Sequence, residues 1–196
     1  MDLALARQLS RLLLLLRNRS AAVLTVGKEV STINKMQIAE LYGYNDWANL
    51  KLLNEVGQLE EEEFLRDLSS SYNSIHTTML HILGAEELWL SRWMGEQGRA
   101  LLNADAFPSY HLLLERWNNF RNLSKNYLIA LTEEDLGEVI SYQNLKGIPY
   151  ALELWKQMLH VVNHSSYHRG QIVTMLRQLK KQPPSLDLIN YYLTPR

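Results

Sequence analysis

Hydrophobic residues recur at helical spacing along most of the chain after residue 35. The segment 36–59 places apolar residues at steps of three, four and seven, namely Ile38, Leu41, Ala48, Leu52 and Val56. The segment 72–96 carries a similar stripe, formed by Ile75, Ile82, Trp89 and Trp93. Apolar positions three and four residues apart share one face of an α-helix. The pattern therefore predicts two amphipathic helices in the first half of the chain.

Two further helices are predicted in the second half. Pro108 suits a first helical turn and opens the helix predicted over 108–131. The segment 150–181 is the most regular, with a seam that steps by four and three: Leu154, Met158, Val161, Ser165, His168, Ile172, Met175 and Leu179. A seam of this kind packs against other helices. Pro183 and Pro184 then end the fourth helix.

The links between these helices are short, and only one of them resembles a strand. Thr132 and Asp135 have the spacing of a cap for one more helical turn. A β-rich run follows over 138–155, broken by Gly147 and Pro149. We interpret this run as a short hairpin or an ordered loop between helices three and four. Four long helices with short links predict an all-α four-helix bundle.

The first 35 residues differ in composition from the rest. Four arginines lie around a run of five leucines: Arg7, Arg11, Arg17 and Arg19. The run is too short to span a bilayer, and its order relative to the charges does not fit a secretory signal. An organellar targeting peptide is one alternative, but we favour a surface helix or an extension upstream of a true start at Met36. We therefore assign 1–35 to an N-terminal extension, helical or poorly ordered, and 36–196 to the bundle.

Composition and charge narrow the chemistry. The 196 residues carry a formal net charge of -1 and contain no cysteine. The length suits one domain with its own core. The mixed charges predict no nucleic-acid partner, and the short apolar run predicts no membrane partner. Without cysteine, any reaction must rely on histidines, carboxylates, hydroxyls or a bound cofactor.

Three of the six histidines lie at intervals of four in the last predicted helix, within HVVNHSSYHRGQ. At about 100° per residue, His168 falls in the apolar seam, His164 lies about 40° from it and His160 about 40° further out. Imidazoles at positions i and i+4 stand one above the other and can bind one metal ion. We therefore predict His164 and His168 as metal ligands and His160 as a residue at the rim.

A zinc-type catalytic site uses three protein ligands, so a third must come from another helix. His81 is the best candidate, because small side chains on its face leave room for the ring: Ser74, Thr77, Thr78, Gly84 and Ala85. This placement requires helix two to bury two faces, since His81 lies away from the stripe that contains Ile82. The alternative is that the histidines are solvated or hydrogen-bonded side chains, which is our interpretation of His76 and His111.

Other polar and aromatic residues have weaker claims. Glu86 lies where a carboxylate is unexpected, and we favour a buried salt bridge over a general base. Arg169 and Gln171 lie beside the histidines. They either orient the metal ligands or the substrate, or they lie at the surface without such a role. The tryptophans are predicted to be core or interface anchors rather than parts of a ligand site: Trp47, Trp89, Trp93, Trp117 and Trp155.

Three stretches together resemble a known family. YNDWANLKLL, LHILGAEELWLSRW and HVVNHSSYHRGQIVTMLRQL occur in the order and spacing typical of the DinB (damage-inducible protein B) family of the DinB/YfiT-like superfamily. The tail PPSLDLINYYL is also similar to the ending of that family. The resemblance covers about residues 36–194 and leaves the first 35 without a counterpart. The histidine of helix two and the paired histidines of helix four are specific as a set.

The resemblance implies a four-helix bundle that binds a divalent metal, usually zinc or nickel, through His81, His164 and His168. It also implies a cytoplasmic protein, often a homodimer, whose superfamily includes small-thiol S-transferases. Three neutral imidazoles leave the ion its full charge, which favours a bound thiolate. We therefore expect a metal-dependent enzyme that transfers a low-molecular-weight thiol cosubstrate to a small-molecule substrate. The alternatives are a metal-dependent hydrolase and a non-catalytic metal-binding stress-response protein.

Overall fold

The computed structural model of the protein describes residues 33–96 and 100–195. The extension predicted over 1–35 therefore lies almost entirely outside the described residues. In chain order the helices and strands are α1 Lys35–Val56, α2 Glu61–Leu65, α3 Ile75–Trp93, a 3₁₀ turn Ala104–Ala106, α4 Tyr110–Ala130, α5 Glu133–Leu136, β1 Val139–Gln143, β2 Pro149–Glu153, α6 Leu154–Gln178 and α7 Leu188–Leu193. The prediction of an all-α four-helix bundle is confirmed, with α1, α3, α4 and α6 as its long helices.

The first helix begins slightly upstream of the predicted boundary. Asn34 is its N-cap, and the Asn34 side chain accepts a hydrogen bond from the Gln37 backbone N–H at 2.9 Å. The Gln37 side chain in turn accepts the Asn34 N–H at 2.9 Å. The Lys35 N–H donates to the Glu133 carboxylate at 3.0 Å. The capping contacts of α1 therefore begin at Asn34, two residues upstream of Met36.

The stretch between α4 and α6 is a hairpin, which corrects the predicted start of the fourth helix. Strands β1 and β2 are antiparallel, and Pro149–Glu153 pairs with Val139–Gln143. Gly147 has φ 77°, a left-handed conformation that glycine adopts without strain. The Asn144 side-chain oxygen accepts the Ile148 N–H at 3.0 Å and fixes the turn. Strand pairing thus outweighs the helical pattern at residues 150–153, and α6 begins at Leu154.

The third long helix begins later than predicted. Ser109 is the N-cap of α4, and its hydroxyl accepts the Leu112 N–H at 3.5 Å. Pro108 therefore precedes the cap instead of forming the first turn. The short helices α2 and α7 were not predicted, because neither is long enough to show a period in the sequence.

Helix α3 is the central element of the core. Ile75 and Ile82 are fully buried on the predicted stripe, and Ala85 and Leu88, which lie on the side of His81, are each 8% exposed. A Cβ atom built at Gly84 would lie 3.3 Å from the Leu102 backbone nitrogen, so the loop before α4 packs directly on this helix. Helix α3 therefore buries two faces, as a ligand role for His81 requires. Within 33–96 and 100–195, no helix is both long and apolar enough to cross a membrane.

The tryptophans divide between the core and the edges of the bundle. Trp117 of α4 is only 1% exposed and packs among the aliphatic residues of α1, α3 and α6. The other four keep part of their rings exposed: Trp47, Trp89, Trp93 and Trp155. Their partners include Tyr191 of α7 for Trp47, at 5.7 Å between ring centroids. The predicted core role holds most fully for Trp117.

Candidate metal centre

Three imidazole rings converge between α3 and α6. The Nε2 atoms of His81 and His164 are 3.0 Å apart. The His168 ring lies 4.5 Å from the His81 ring and 4.4 Å from the His164 ring, measured between centroids. One nitrogen from each ring lies within 4.8 Å of the other two. The structure therefore brings together the three histidines predicted as ligands.

The His168 ring is held by a hydrogen bond on the side away from the cluster. Its Nδ1 lies 2.8 Å from the Gln171 side-chain oxygen, which can only accept, so Nδ1 carries the proton. The amide of Gln171 donates to the Ser71 hydroxyl at 3.3 Å. With Nδ1 occupied, Nε2 of His168 keeps its lone pair for the cluster. A partner of this kind fixes the tautomer and orientation of a histidine ligand.

Two tyrosines that no spacing in the sequence predicts line the cluster. The Tyr72 ring stacks on His81 at 3.9 Å between centroids, with 19° between the planes, and meets the edge of His168 at 5.4 Å. Tyr167 contacts His168 from the other side at 5.0 Å and is 66% exposed. Tyr72 lies in the loop before α3, where Asn73 has φ 59°. Loop residues have no helical period, so no spacing pointed to Tyr72.

Burial lowers the pKa of two rings in the cluster. The pKa of His81 is lowered to about 4, first by burial and then by the nearby His168. The pKa of His164 is lowered to about 3 by burial and then by His168, His81 and His160. Only a neutral imidazole offers a lone pair to a metal. Both rings are therefore in the ligand form at neutral pH.

The donor set suits a divalent transition metal. Imidazole nitrogens suit zinc and nickel, whereas calcium and magnesium take oxygen ligands. Zinc–nitrogen distances of about 2.0–2.1 Å place two tetrahedral ligand atoms roughly 3.3 Å apart. The 3.0 Å between the His81 and His164 nitrogens is close to this spacing. The three histidines could therefore hold one ion and leave a further position for a water or a substrate.

The metal-free protein is expected to lose stability as the pH falls from 7 to 5. An unfolded histidine has a pKa of about 6.5, above the values of about 4 for His81 and about 3 for His164. In this interval the unfolded chain binds more protons than the folded chain, so the free energy of unfolding decreases as the pH falls. We expect a loss of about 1–2 kcal/mol, reduced by the partial exposure of both rings.

Urea unfolding of chelator-treated protein at pH 7, 6 and 5 measures this loss. The variant His164→Asn should show a flatter dependence on pH, because it removes one of the two titrating rings. His111→Asn is the matched control, since His111 is exposed on α4 and lies outside the cluster. Equal pH dependences for the wild-type protein and His164→Asn would contradict the assignment of the proton uptake to this cluster.

The remaining histidines lie outside the cluster. His160 is exposed and contacts the rings of Trp89 at 5.2 Å and His164 at 5.8 Å, which is the predicted rim position. His76 is 5% exposed, and its Nε2 hydrogen-bonds the Phe107 carbonyl at 2.7 Å. The interpretation of His76 as a hydrogen-bonded residue agrees with this contact. His111 is exposed.

Glu86 is buried, but the favoured salt bridge is wrong. Its Oε1 accepts hydrogen bonds from the Ser165 hydroxyl at 2.6 Å and from the amides of Asn45 and Asn49 at 2.8 and 3.2 Å. Arg169 donates to the amide oxygens of the same two asparagines at 2.6 and 2.8 Å. Two asparagines thus stand between the acid and the base. A direct pair was expected because the sequence does not show that α1 inserts these amides.

Glu86 and Arg169 therefore belong to a hydrogen-bonded network in the interior of the bundle. Arg169 is 1% exposed and Glu86 5% exposed. Arg169 follows His168 directly, yet the helical turn directs its side chain towards α1. Gln171, three residues after His168, is the one of these polar residues that hydrogen-bonds a clustered histidine.

Known proteins are similar to this chain in sequence and in fold. The sequence model of the DinB family matches residues 31–194. Protein DinB of Bacillus subtilis (strain 168) is 30% identical over 144 residues, which are 71% of this chain and 84% of that protein. The uncharacterized protein YizA of the same organism is 26% identical over 138 residues, covering 70% and 85% of the two chains.

A solved structure agrees at the level of the fold. The crystal structure of a DinB-like protein from Bacillus cereus ATCC 10987 superimposes with a TM-score of 0.58 at 18% identity. It covers 76% of this chain and 95% of that one. Since the family model spans most of the chain, including all three clustered histidines, the chain belongs to the DinB family.

Proposed function

We propose that this protein is a metal-dependent enzyme that transfers a low-molecular-weight thiol to an electrophilic small molecule. The observation that carries the proposal is the convergence of His81, His164 and His168 between α3 and α6. We propose zinc or nickel as the metal, since imidazole ligands suit both. The chain contains no cysteine, so the reacting thiol must be a cosubstrate.

Each part of the site has a distinct task in this proposal. A divalent ion on the three histidines would act as a Lewis acid that lowers the pKa of a thiol at its open position. The neutral ligands cancel none of the positive charge, so the site attracts an anionic sulfur. Gln171 holds the His168 ring in its orientation, and Tyr72 covers one face of His81. In the reaction the thiol proton passes to solvent, a sulfur–carbon bond forms, and the leaving group departs with its bonding electrons.

Hydrolysis by the same centre is the second candidate. It would require a base to remove a proton from water, and carboxylates are the common choice. Within 33–96 and 100–195, no carboxylate belongs to the histidine cluster, and Glu86 is committed to the interior network. The same observation supports a non-catalytic metal-binding protein. A thiol needs less assistance than water because its pKa is much lower, which favours thiol transfer.

We expect the metal-loaded protein to consume an electrophile only when a thiol is present. The protein, loaded with zinc or nickel, is mixed with 1-chloro-2,4-dinitrobenzene and with glutathione, cysteine or N-acetylcysteine, and thioether formation is followed by absorbance. A variant that lacks the His81 imidazole, His81→Ala, should fall to the uncatalysed rate. His111→Ala, a change outside the cluster, should retain the activity.

The outcomes separate the three functions. Metal binding without thiol-dependent turnover would favour the non-catalytic protein. Turnover of an activated ester without thiol, lost in His81→Ala, would favour the hydrolase. Equal rates for the wild-type protein and His81→Ala with every thiol would contradict a catalytic role for the cluster.

A further inference from the structure

One face of α3 leads from the histidine cluster to an arginine. His81, Ala85, Leu88 and Arg92 follow one another at steps of four, three and four, so they lie along one side of the helix. At a rise of 1.5 Å per residue, the Cα atoms of His81 and Arg92 are about 16 Å apart. Both side chains lean towards the helix N-terminus, but the arginine side chain is longer than that of histidine, so the Arg92 guanidinium lies roughly 10–15 Å from the cluster.

The Arg92 side chain is held in place by its neighbours. Its guanidinium carbon lies 4.5 Å from the centre of the Trp89 ring and 4.8 Å from that of Tyr142 on β1. One N–H donates to the Gln143 carbonyl at 2.7 Å. A guanidinium carries five N–H groups, so this bond leaves donors for a ligand. The hairpin therefore fixes a cation in a defined orientation that retains hydrogen-bonding capacity.

Aromatic rings connect this cation to the candidate metal centre. The Trp89 ring contacts Tyr142 at 4.8 Å and His160 at 5.2 Å, and His160 contacts His164 at 5.8 Å. Trp89 and Tyr142 are partly exposed, and His160 is exposed. The rings form one side of a strip that runs from the histidines to Arg92. His160, which is not a member of the cluster, lies at the middle of this strip.

We propose that Arg92 binds the carboxylate of a substrate whose reacting end lies at the histidine cluster. A planar guanidinium pairs with a carboxylate through two parallel hydrogen bonds. A span of roughly 10–15 Å corresponds to three or four extended residues at about 3.3–3.6 Å each. The substrate class is therefore a carboxylate-bearing molecule of about tripeptide size. Cysteine is too short, because its thiol and carboxylate belong to one residue.

This inference rests on the proposed thiol transfer and specifies the substrate that the same site accepts. The carboxylate can belong to the thiol or to the electrophile, and the chemistry at Arg92 is the same in both cases. The aromatic rings of Trp89, Tyr142 and His160 would form the side along which the middle of the substrate lies.

Binding to the zinc-loaded protein tests the inference without relying on turnover. Isothermal titration calorimetry gives Kd for glutathione and its diethyl ester, for cysteine, and for N-(4-chloro-3-nitrobenzoyl)glycylglycine and its methyl ester, an electrophile whose extended glycylglycine arm places the carboxylate roughly 10–12 Å from the reacting carbon. We expect the wild-type protein to bind the acid about tenfold more tightly than the ester in at least one pair. In Arg92→Gln this preference should disappear through weaker binding of the acid, while Kd for cysteine should not change.

The matched control is Arg177→Gln, which removes the same charge from an exposed position in the last turn of α6. It should retain the preference for the acid. A preference within the glutathione pair assigns the carboxylate to the thiol, and a preference within the chloronitrobenzoyl-peptide pair assigns it to the electrophile. Equal Kd values within both pairs for the unchanged protein, or a preference that survives Arg92→Gln, would overturn the role of Arg92.

The proposed function is tested by a different measurement. It would be contradicted by the absence of bound metal or of thiol-dependent turnover. A protein that binds metal and transfers thiols but binds acids and esters equally would retain the proposed function and lose this inference alone. The comparison of acid and ester on the wild-type protein also gives a result that does not depend on whether any variant folds.

Discussion

Replacing His168 by alanine is expected to remove the bound metal from the purified protein. Elemental analysis of the wild-type protein should give about one zinc or nickel ion per chain, and His168→Ala should give almost none. The reason is geometric, because the remaining rings of His81 and His164 provide two ligands where a stable site needs three. A ligated metal also stabilises the folded chain by mass action. The wild-type melting temperature should therefore fall on chelation, whereas that of His168→Ala should not respond.

Two further variants sharpen this expectation. His160→Ala should keep the metal, because His160 contacts the His164 ring at 5.8 Å but lies outside the three-nitrogen cluster. Gln171→Ala should weaken metal affinity about 10–100-fold, as loss of a histidine-orienting hydrogen bond typically does. Retention of metal by His168→Ala together with its loss from His160→Ala would show that the ligand set is wrong.

The histidine cluster was predictable because it lies on regular helices. A fixed rotation per residue determines which of His160, His164 and His168 faces the seam. His81 was chosen because its neighbours on the helix are small. A ligand role for His81 also requires this helix to bury two faces, and α3 does so. Tyr72 could not be predicted in the same way. Its ring reaches His81 through a left-handed turn at Asn73, and such a turn depends on tertiary contacts that no period in the sequence shows.

The fold was predictable to the level of its long helices but less so at their ends. The three- and four-residue spacing of apolar residues is a property of the whole helix, so an error at one end does not weaken it. The start of α6 depends instead on whether residues 149–153 pair with β1, which is a contact between distant segments. The start of α4 is likewise set by one local hydrogen bond, from the Leu112 N–H to the Ser109 hydroxyl, which places Pro108 before the helix. Each helix end is therefore determined by a few interactions, which the spacing of apolar residues does not show.

The polar interior of the bundle shows a further limit of prediction from sequence. Glu86 on α3, Arg169 on α6 and the two asparagines of α1 come from three helices, and no single helix shows their relation. Once assembled, they form one network in which the charges are separated by amides. The Arg169 guanidinium also lies 5.3 Å from the centre of the Tyr44 ring. The network joins α1, α3 and α6, and so holds the helix pair that carries the histidines against α1.

Replacing Arg169 by alanine is expected to destabilise the protein by about 3–5 kcal/mol, the usual cost of removing one partner from a buried charged network. The change leaves Glu86 buried without a compensating charge and leaves the oxygens of Asn45 and Asn49 without their donor. Urea unfolding of the metal-free protein at pH 7 measures the loss directly.

The control for this loss is Arg177→Ala, because Arg177 is exposed on the same helix and should change stability by less than about 0.5 kcal/mol. The double variant Glu86→Leu with Arg169→Met tests the mechanism. If the loss of Arg169 is costly because the charge of Glu86 is left uncompensated, the double variant should be destabilised by much less than the sum of the losses in Glu86→Leu alone and Arg169→Met alone. Additive losses would mean that Arg169 stabilises the bundle through its packing and not through its charge.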